Sequence, residues 1–193
     1  MKTLADLVAL YNKNYAGYEE WKLSDFKNLK KPMEELIKDA VWGYLPDLKR
    51  DSHQCQISKA VLEEMTKRLL DPLIMVELKR STCFDDIFTI VYELKISNFS
   101  SLCVYDTALR LGAMLKLYPK VIYLHRGVLE GIINLIGKAE LKKHIKFFLR
   151  DEKYPYITKD CLPTELQILE PYHIENFLCR NKEKMLAFDL KHT

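Results

Sequence analysis

Residues 102–117, LCVYDTALRLGAMLKL, are apolar on almost every face of a helix. The polar stripe is reduced to Cys103, Asp106, Thr107 and Arg110. A helix that is hydrophobic nearly all round belongs at the centre of a core, so other elements must surround it. At 193 residues with 48% hydrophobic side chains, the chain is long enough to supply them.

The rest of the sequence is dominated by helical signals. Leu4, Leu7, Val8, Tyr11 and Tyr15 follow three-to-four spacing. Pro32 opens KPMEELIKDAVW, and Ser52 is placed to cap a long helix lined by Ile57, Val61, Met65 and Leu69. Ser81 or Thr82 precedes CFDDIFTIVYELKI, whose Asp85 and Asp86 suit a first turn. Ser100 or Ser101 begins the apolar helix. GVLEGIINLIG, AELKKHIKFFLR and the Pro171-initiated YHIENFLCRNKEKMLAF read as further helices. The runs 73–78 (LIMVEL) and 121–124 (VIYL) are short enough to be either strand or buried helix. The expectation is an all-α fold of about eight helices. It is a single compact domain over 1–193, with 153–193 as a C-terminal helical extension packed on it and room for one minor β element.

Between two of these helices lies Ile96-Ser97-Asn98-Phe99-Ser100. Asn98 tolerates a left-handed backbone and Ser100 can cap the helix that follows. Thr107-Ala108, Gly112 and Val121-Ile122-Tyr123-Leu124-His125-Arg126 come next. In this order and rough spacing, residues 96–130 resemble the helix-hairpin-helix DNA glycosylases. The resemblance implies a helix-hairpin-helix-like core whose turn meets a nucleic-acid phosphate at a helix N-terminus. Both glycines typical of the hairpin are missing. Tyr123 or its neighbour stands where that family keeps a catalytic Asp, and no carboxylate lies between Asp106 and Glu130. The scaffold is expected without the chemistry.

Asp106 and Arg110 are four residues apart. They form either an intrahelical ion pair satisfied inside the core or, with Tyr105, Tyr123 and His125, the lining of a pocket. His125-Arg126 sits at a turn before a helix, where Arg126 can hold a phosphate through its fork. The segment 138–159 carries seven Lys/Arg against three acids. Within it Lys142, Lys143, Lys146 and Arg150 recur at near-helical spacing. That stripe either tracks a phosphate backbone or is the solvated face of an amphipathic helix.

The formal charge of +3 permits a nucleic-acid partner without demanding one. Five cysteines without a CxxC pair, and histidines without HxH or HxxxH spacing, point to no metal and no cofactor. No signal-like h-region or membrane-length apolar run is present, so a cytoplasmic protein without a membrane partner is expected. The leading functional expectation is a non-catalytic DNA or RNA binder using Asn98, Ser100, Arg126 and the basic segment. The alternative is a protein–protein interaction module, of adaptor or immunity type, docking through Tyr172, His173, Phe177 and Arg180. An enzyme centred on Asp106, Arg110 and His125 ranks third.

Overall fold

Short polar side chains, Thr3, Asp51, Ser58, Asp71 and Ser100, cap the starts of five helices. The computed structural model describes residues 3–148 and 154–188. Helix α1 (Leu4–Tyr11) opens with a reciprocal cap: Thr3 Oγ1 accepts from Asp6 N and Asp6 Oδ2 accepts from Thr3 N, each at 3.1 Å. A π-helical stretch, Asn12–Ala16, leads into α2 (Gly17–Lys22). Next come α3 (Ser24–Lys27) and α4 (Met33–Trp42), the latter ending on Gly43 at φ +71°. A left-handed C-terminal residue of this kind favours glycine.

After an antiparallel bridge between Tyr44 and Arg50 come α5 (Ser52–Cys55) and α6 (Lys59–Leu69). The long helix expected from Ser52 is therefore broken. Asp51 caps the single turn α5, and Ser58 starts α6 by accepting from Val61 N. The run 73–78 is helical within α7 (Pro72–Arg80), where Asp71 accepts from Leu73 N and Pro72 supplies the first turn. Helix α8 (Phe84–Glu93) starts after Cys83, one residue later than Thr82 and two later than Ser81 would set it, with Asp86 Oδ2 accepting from Cys83 N at 3.2 Å. Helix α9 (Ser101–Leu115) is capped by Ser100, as the sequence indicates.

The 121–124 run contributes strand β1 (Ile122–Tyr123). It is followed by α10 (Arg126–Ile136), α11 (Lys138–His144), β2 (Lys146–Phe148) and β3 (Tyr154–Ile157). The order β1-β3-β2 is antiparallel throughout, with Ile122 opposite Ile157 and Phe147 opposite Pro155. AELKKHIKFFLR is thus not one helix: α11 stops at His144, and the aromatic residues after it pair as an edge strand. Helices α12 (Thr164–Gln167) and α13 (Pro171–Asn181) follow, and a 3₁₀ stretch, Lys182–Phe188, completes the described chain. The fold is mainly α with this small sheet.

The chain divides into two compact units, Glu20–Pro119 and Met1–Glu19 with Lys120–Thr193. In the first, α9 packs on α8, α4 and α3, and ten of its fifteen residues are buried. The central helix anticipated from its all-round apolarity is in place. In the second, α10 packs on α13 and on Lys182–Phe188, and α13 also meets β1. Gly131 permits the α10–α13 approach, since a Cβ there would lie 2.6 Å from the Leu178 carbonyl oxygen.

Candidate functional site

The turn between α8 and α9 closes through Phe99 N donating to Ile96 O at 3.2 Å. Asn98 adopts φ +67°, and Phe99, 1% exposed, anchors the turn in the core. Ser100 Oγ accepts from Cys103 N at 3.2 Å. Ser97, Asn98, Ser100 and Ser101 remain exposed, so the positively polarised start of α9 opens to solvent. Lys95, at the end of α8, lies 5.4 Å from the Tyr92 ring centroid. The chain turns here without a glycine because Asn98 accepts the left-handed conformation.

Asp106 and Arg110 do not pair with each other along α9. Arg110 is 4% exposed and its Nη2 donates to Asp51 Oδ2 at 3.1 Å, while Nη1 donates to Ala40 O at 3.3 Å. That carbonyl is in the last turn of α4, where no intrahelical donor is available. Arg50 Nε does the same for Trp42 O at 3.3 Å. Asp106 Oδ2 meets His53 Nδ1 at 2.8 Å. The two residues of α9 therefore hold the Asp51–His53 turn, contacts that α9 taken alone cannot supply.

Charge balance follows from this geometry. Burial opposes ionisation of Asp51, but Arg110, Lys22 and His53 outweigh it and hold the carboxyl below its usual value. Lys22 Nζ is 3.7 Å from Asp51 Oδ2. The hydrogen bond to Asp106 raises the His53 pKa, against an opposing effect of burial. The arrangement is an ionic clasp between the loop and α9.

The remaining candidates lie in the other unit. Tyr123 is fully buried, and its amide donates to Glu175 Oε1 at 2.8 Å. His125 stands at the N-cap of α10, with Arg126 exposed just after it. Tyr105, Asp106 and Arg110 thus belong to one unit and Tyr123 and His125 to the other. Lys142 and Lys143 are exposed on α11, Lys143 bridging Glu140. Lys146 is exposed on β2, so these three lysines do not form one helical stripe. Arg150 lies outside the described residues.

The docking face anticipated on the last helix is different as well. His173 and Phe177 are buried against α1, with Tyr11 Oη 3.0 Å from His173 Nδ1 and the Tyr11 and Phe177 rings edge to face at 5.6 Å. Arg180 sits 3.7 Å from the Tyr15 ring centroid.

An open groove of about 930 Å³ lies between α4, α6 and the start of α7. Trp42 and Tyr44 form its aromatic part, their rings parallel within 3° at 6.0 Å. Lys38, Lys59 and Lys67 also line it, together with Glu63 and Asp71. Sequence reasoning missed these residues. The signal was present as spacing: Lys38 and Trp42 are one turn apart on α4, and Lys59, Glu63 and Lys67 share a face of α6.

Among the described residues no group of three or more His, Cys, Asp or Glu side chains is placed to hold a metal. No helix among them is long and apolar enough to cross a membrane. No protein-family model, curated protein or solved structure matches the chain.

Proposed function

We propose that the chain is a non-catalytic nucleic-acid-binding protein that meets phosphate oxygens with the exposed turn from Ser97 to Ser101. The observation that carries this reading is Asn98 at φ +67°, followed by the Ser100 cap. Together they give the turn and open helix start that a phosphate-binding hairpin needs, without its glycines. Ser100 occupies the Cys103 amide, leaving the Leu102 amide in the first turn without a helical partner. Lys95 adds a cation at the edge of the turn.

The unit that carries the turn is electrostatically neutral, with 15 Lys and Arg against 15 Asp and Glu over residues 20–119. Attraction must come from local placement rather than from a long-range field. Few phosphates are then engaged, and the logarithm of the binding constant is expected to fall against log salt with a slope of roughly −1 to −2.

Fluorescence anisotropy with labelled duplex and single-stranded oligonucleotides tests this reading. Ser101→Glu places an acid at the first position of α9, which suits the helix dipole but repels phosphate. Affinity should drop by about tenfold while the melting temperature is maintained. Absence of binding at low salt by folded protein, or full affinity in the Ser101→Glu variant, defeats the proposal.

A further inference from the structure

The groove between α4 and α6 has chemistry that the hairpin does not use. Trp42 Nε1 donates to Thr66 Oγ1 at 3.2 Å, and that hydroxyl donates to Leu62 O at 2.7 Å. The indole's one polar atom is therefore satisfied inside the protein, and its orientation is fixed. Ring surface of Trp42 and of Tyr44, stacked parallel to it, lines the groove, and the Arg50 guanidinium lies over the Trp42 ring, 5.6 Å from its centroid. Arg50 is held in turn by the carbonyls of Trp42 and Gln54. A rigid aromatic shelf of this kind favours a planar π system.

The surrounding charges select its sign. Glu63 lies 3.5 Å from Lys59, and the Asp71 carboxylate accepts from Leu73 N at 2.9 Å as the cap of α7. Both acids thus have partners. Lys38 and Lys67 are exposed and form no ion pair among the described residues. Two exposed cations outside any salt bridge among the described residues, Lys67 acting only at longer range on Glu64, disfavour an ammonium guest on the rings and favour an anion attached to the planar group. The groove volume of about 930 Å³ accommodates a nucleotide-sized ligand.

We propose that this groove binds a nucleobase carrying an adjacent phosphate, the base on the Trp42–Tyr44 shelf and the phosphate at Lys38 and Lys67. The ligand is either a free mononucleotide or an unpaired nucleotide of a strand. This site stands independently of the α8–α9 turn, whose failure to bind phosphate would leave it untouched.

The chain has two tryptophans, so Trp21→Phe leaves Trp42 as the sole indole emitter. In that background, adenosine 5′-monophosphate and a short oligoadenylate are titrated against Trp42 emission, with ribose 5-phosphate and polyglutamate as comparison anions. Saturable quenching by the mononucleotide or the oligomer, and none by either comparison anion, is the expected result. The tighter of the two identifies the source. The double variant Lys38→Glu/Lys67→Glu, checked for an unchanged circular-dichroism melt, should weaken quenching by about tenfold. Ser101→Glu should leave it unchanged. Quenching by polyglutamate equal to that by nucleotide, quenching insensitive to the lysine pair, or no response to either nucleotide probe overturns the proposal.

Discussion

His53 Nδ1 and Asp106 Oδ2 lie 2.8 Å apart, joining the short α5 turn to the middle of the central helix α9. One helical turn further on, Arg110 reaches Asp51 from the same helix. The loop carrying Tyr44 and Arg50 is therefore fixed to the core at its far end by the Arg110–Asp51 ion pair and the His53–Asp106 hydrogen bond.

The His53–Asp106 contact makes stability depend on pH. The His53 pKa is raised, so its contribution is complete below the unfolded value near 6.5 and is lost as pH rises through the folded value. The side chain is 43% exposed, so solvent screening keeps the effect small. Between pH 6 and pH 8.5 the melting temperature should fall by about 1–3 °C more in the native protein than in His53→Gln. Thermal melts by circular dichroism at both pH values check this, and equal pH dependence in the two proteins refutes it.

Arg110 contributes in a different way because it is buried. Arg110→Met removes the closest of the cations opposing Asp51, with Lys22 remaining at 3.7 Å, and leaves the Ala40 carbonyl without its donor. Losing this charged hydrogen bond, with Lys22 and His53 still facing the carboxylate, is expected to cost about 1.5–3 kcal/mol in urea unfolding. Adding Asp51→Asn should recover part of the loss, since no desolvated carboxylate then remains. A double variant as unstable as the single one would place the cost in packing instead.

Gln54 offers a change of opposite sign. Its side chain is 0% exposed, lies against Gly43, and neither its Oε1 nor its Nε2 has a hydrogen-bond partner. Burying an amide without partners is unfavourable, whereas a thioether of similar length carries no such penalty. Gln54→Met should stabilise the protein by about 1 kcal/mol, read from the urea midpoint at constant slope. A lowered midpoint would show that the amide has a role beyond filling space.

Much of the central architecture is legible in the sequence because its causes are local. The all-round apolarity of 102–117 marks α9 as buried, and Ser100 marks its start. Residues 73–78, which periodicity leaves open between strand and helix, are helical in the structure because Asp71 caps α7 and Pro72 supplies its first turn. What escapes is set by distant partners. Residues 146–148 become a strand only through pairing with Tyr154–Ile157, and Asp106 and Arg110 turn to residues more than fifty positions away. His173 and Phe177 look like an interface until α1 covers them. The groove was hidden for the same reason: each helix shows its own face, but not which faces meet.

Two glycines turn the same substitution in opposite directions. At Gly131 a Cβ would sit 2.6 Å from the Leu178 carbonyl oxygen and 3.2 Å from Leu178 Cβ. The obstacle is backbone on a packed helix, so it cannot rotate aside, and α10 and α13 must separate. Gly131→Ala is expected to cost about 1–3 kcal/mol. At Gly17 nothing lies within 4 Å of the added Cβ, and the residue already has helical dihedrals, φ −61° and ψ −33°. Gly17→Ala should therefore stabilise the chain by about 0.5–1 kcal/mol through helix propensity and reduced freedom of the unfolded chain. Urea titrations of the two single variants and their combination check both signs. The effects should add, because the sites share no packed neighbour; a neutral Gly131→Ala would mean that the two helices pack more loosely than 2.6 Å implies.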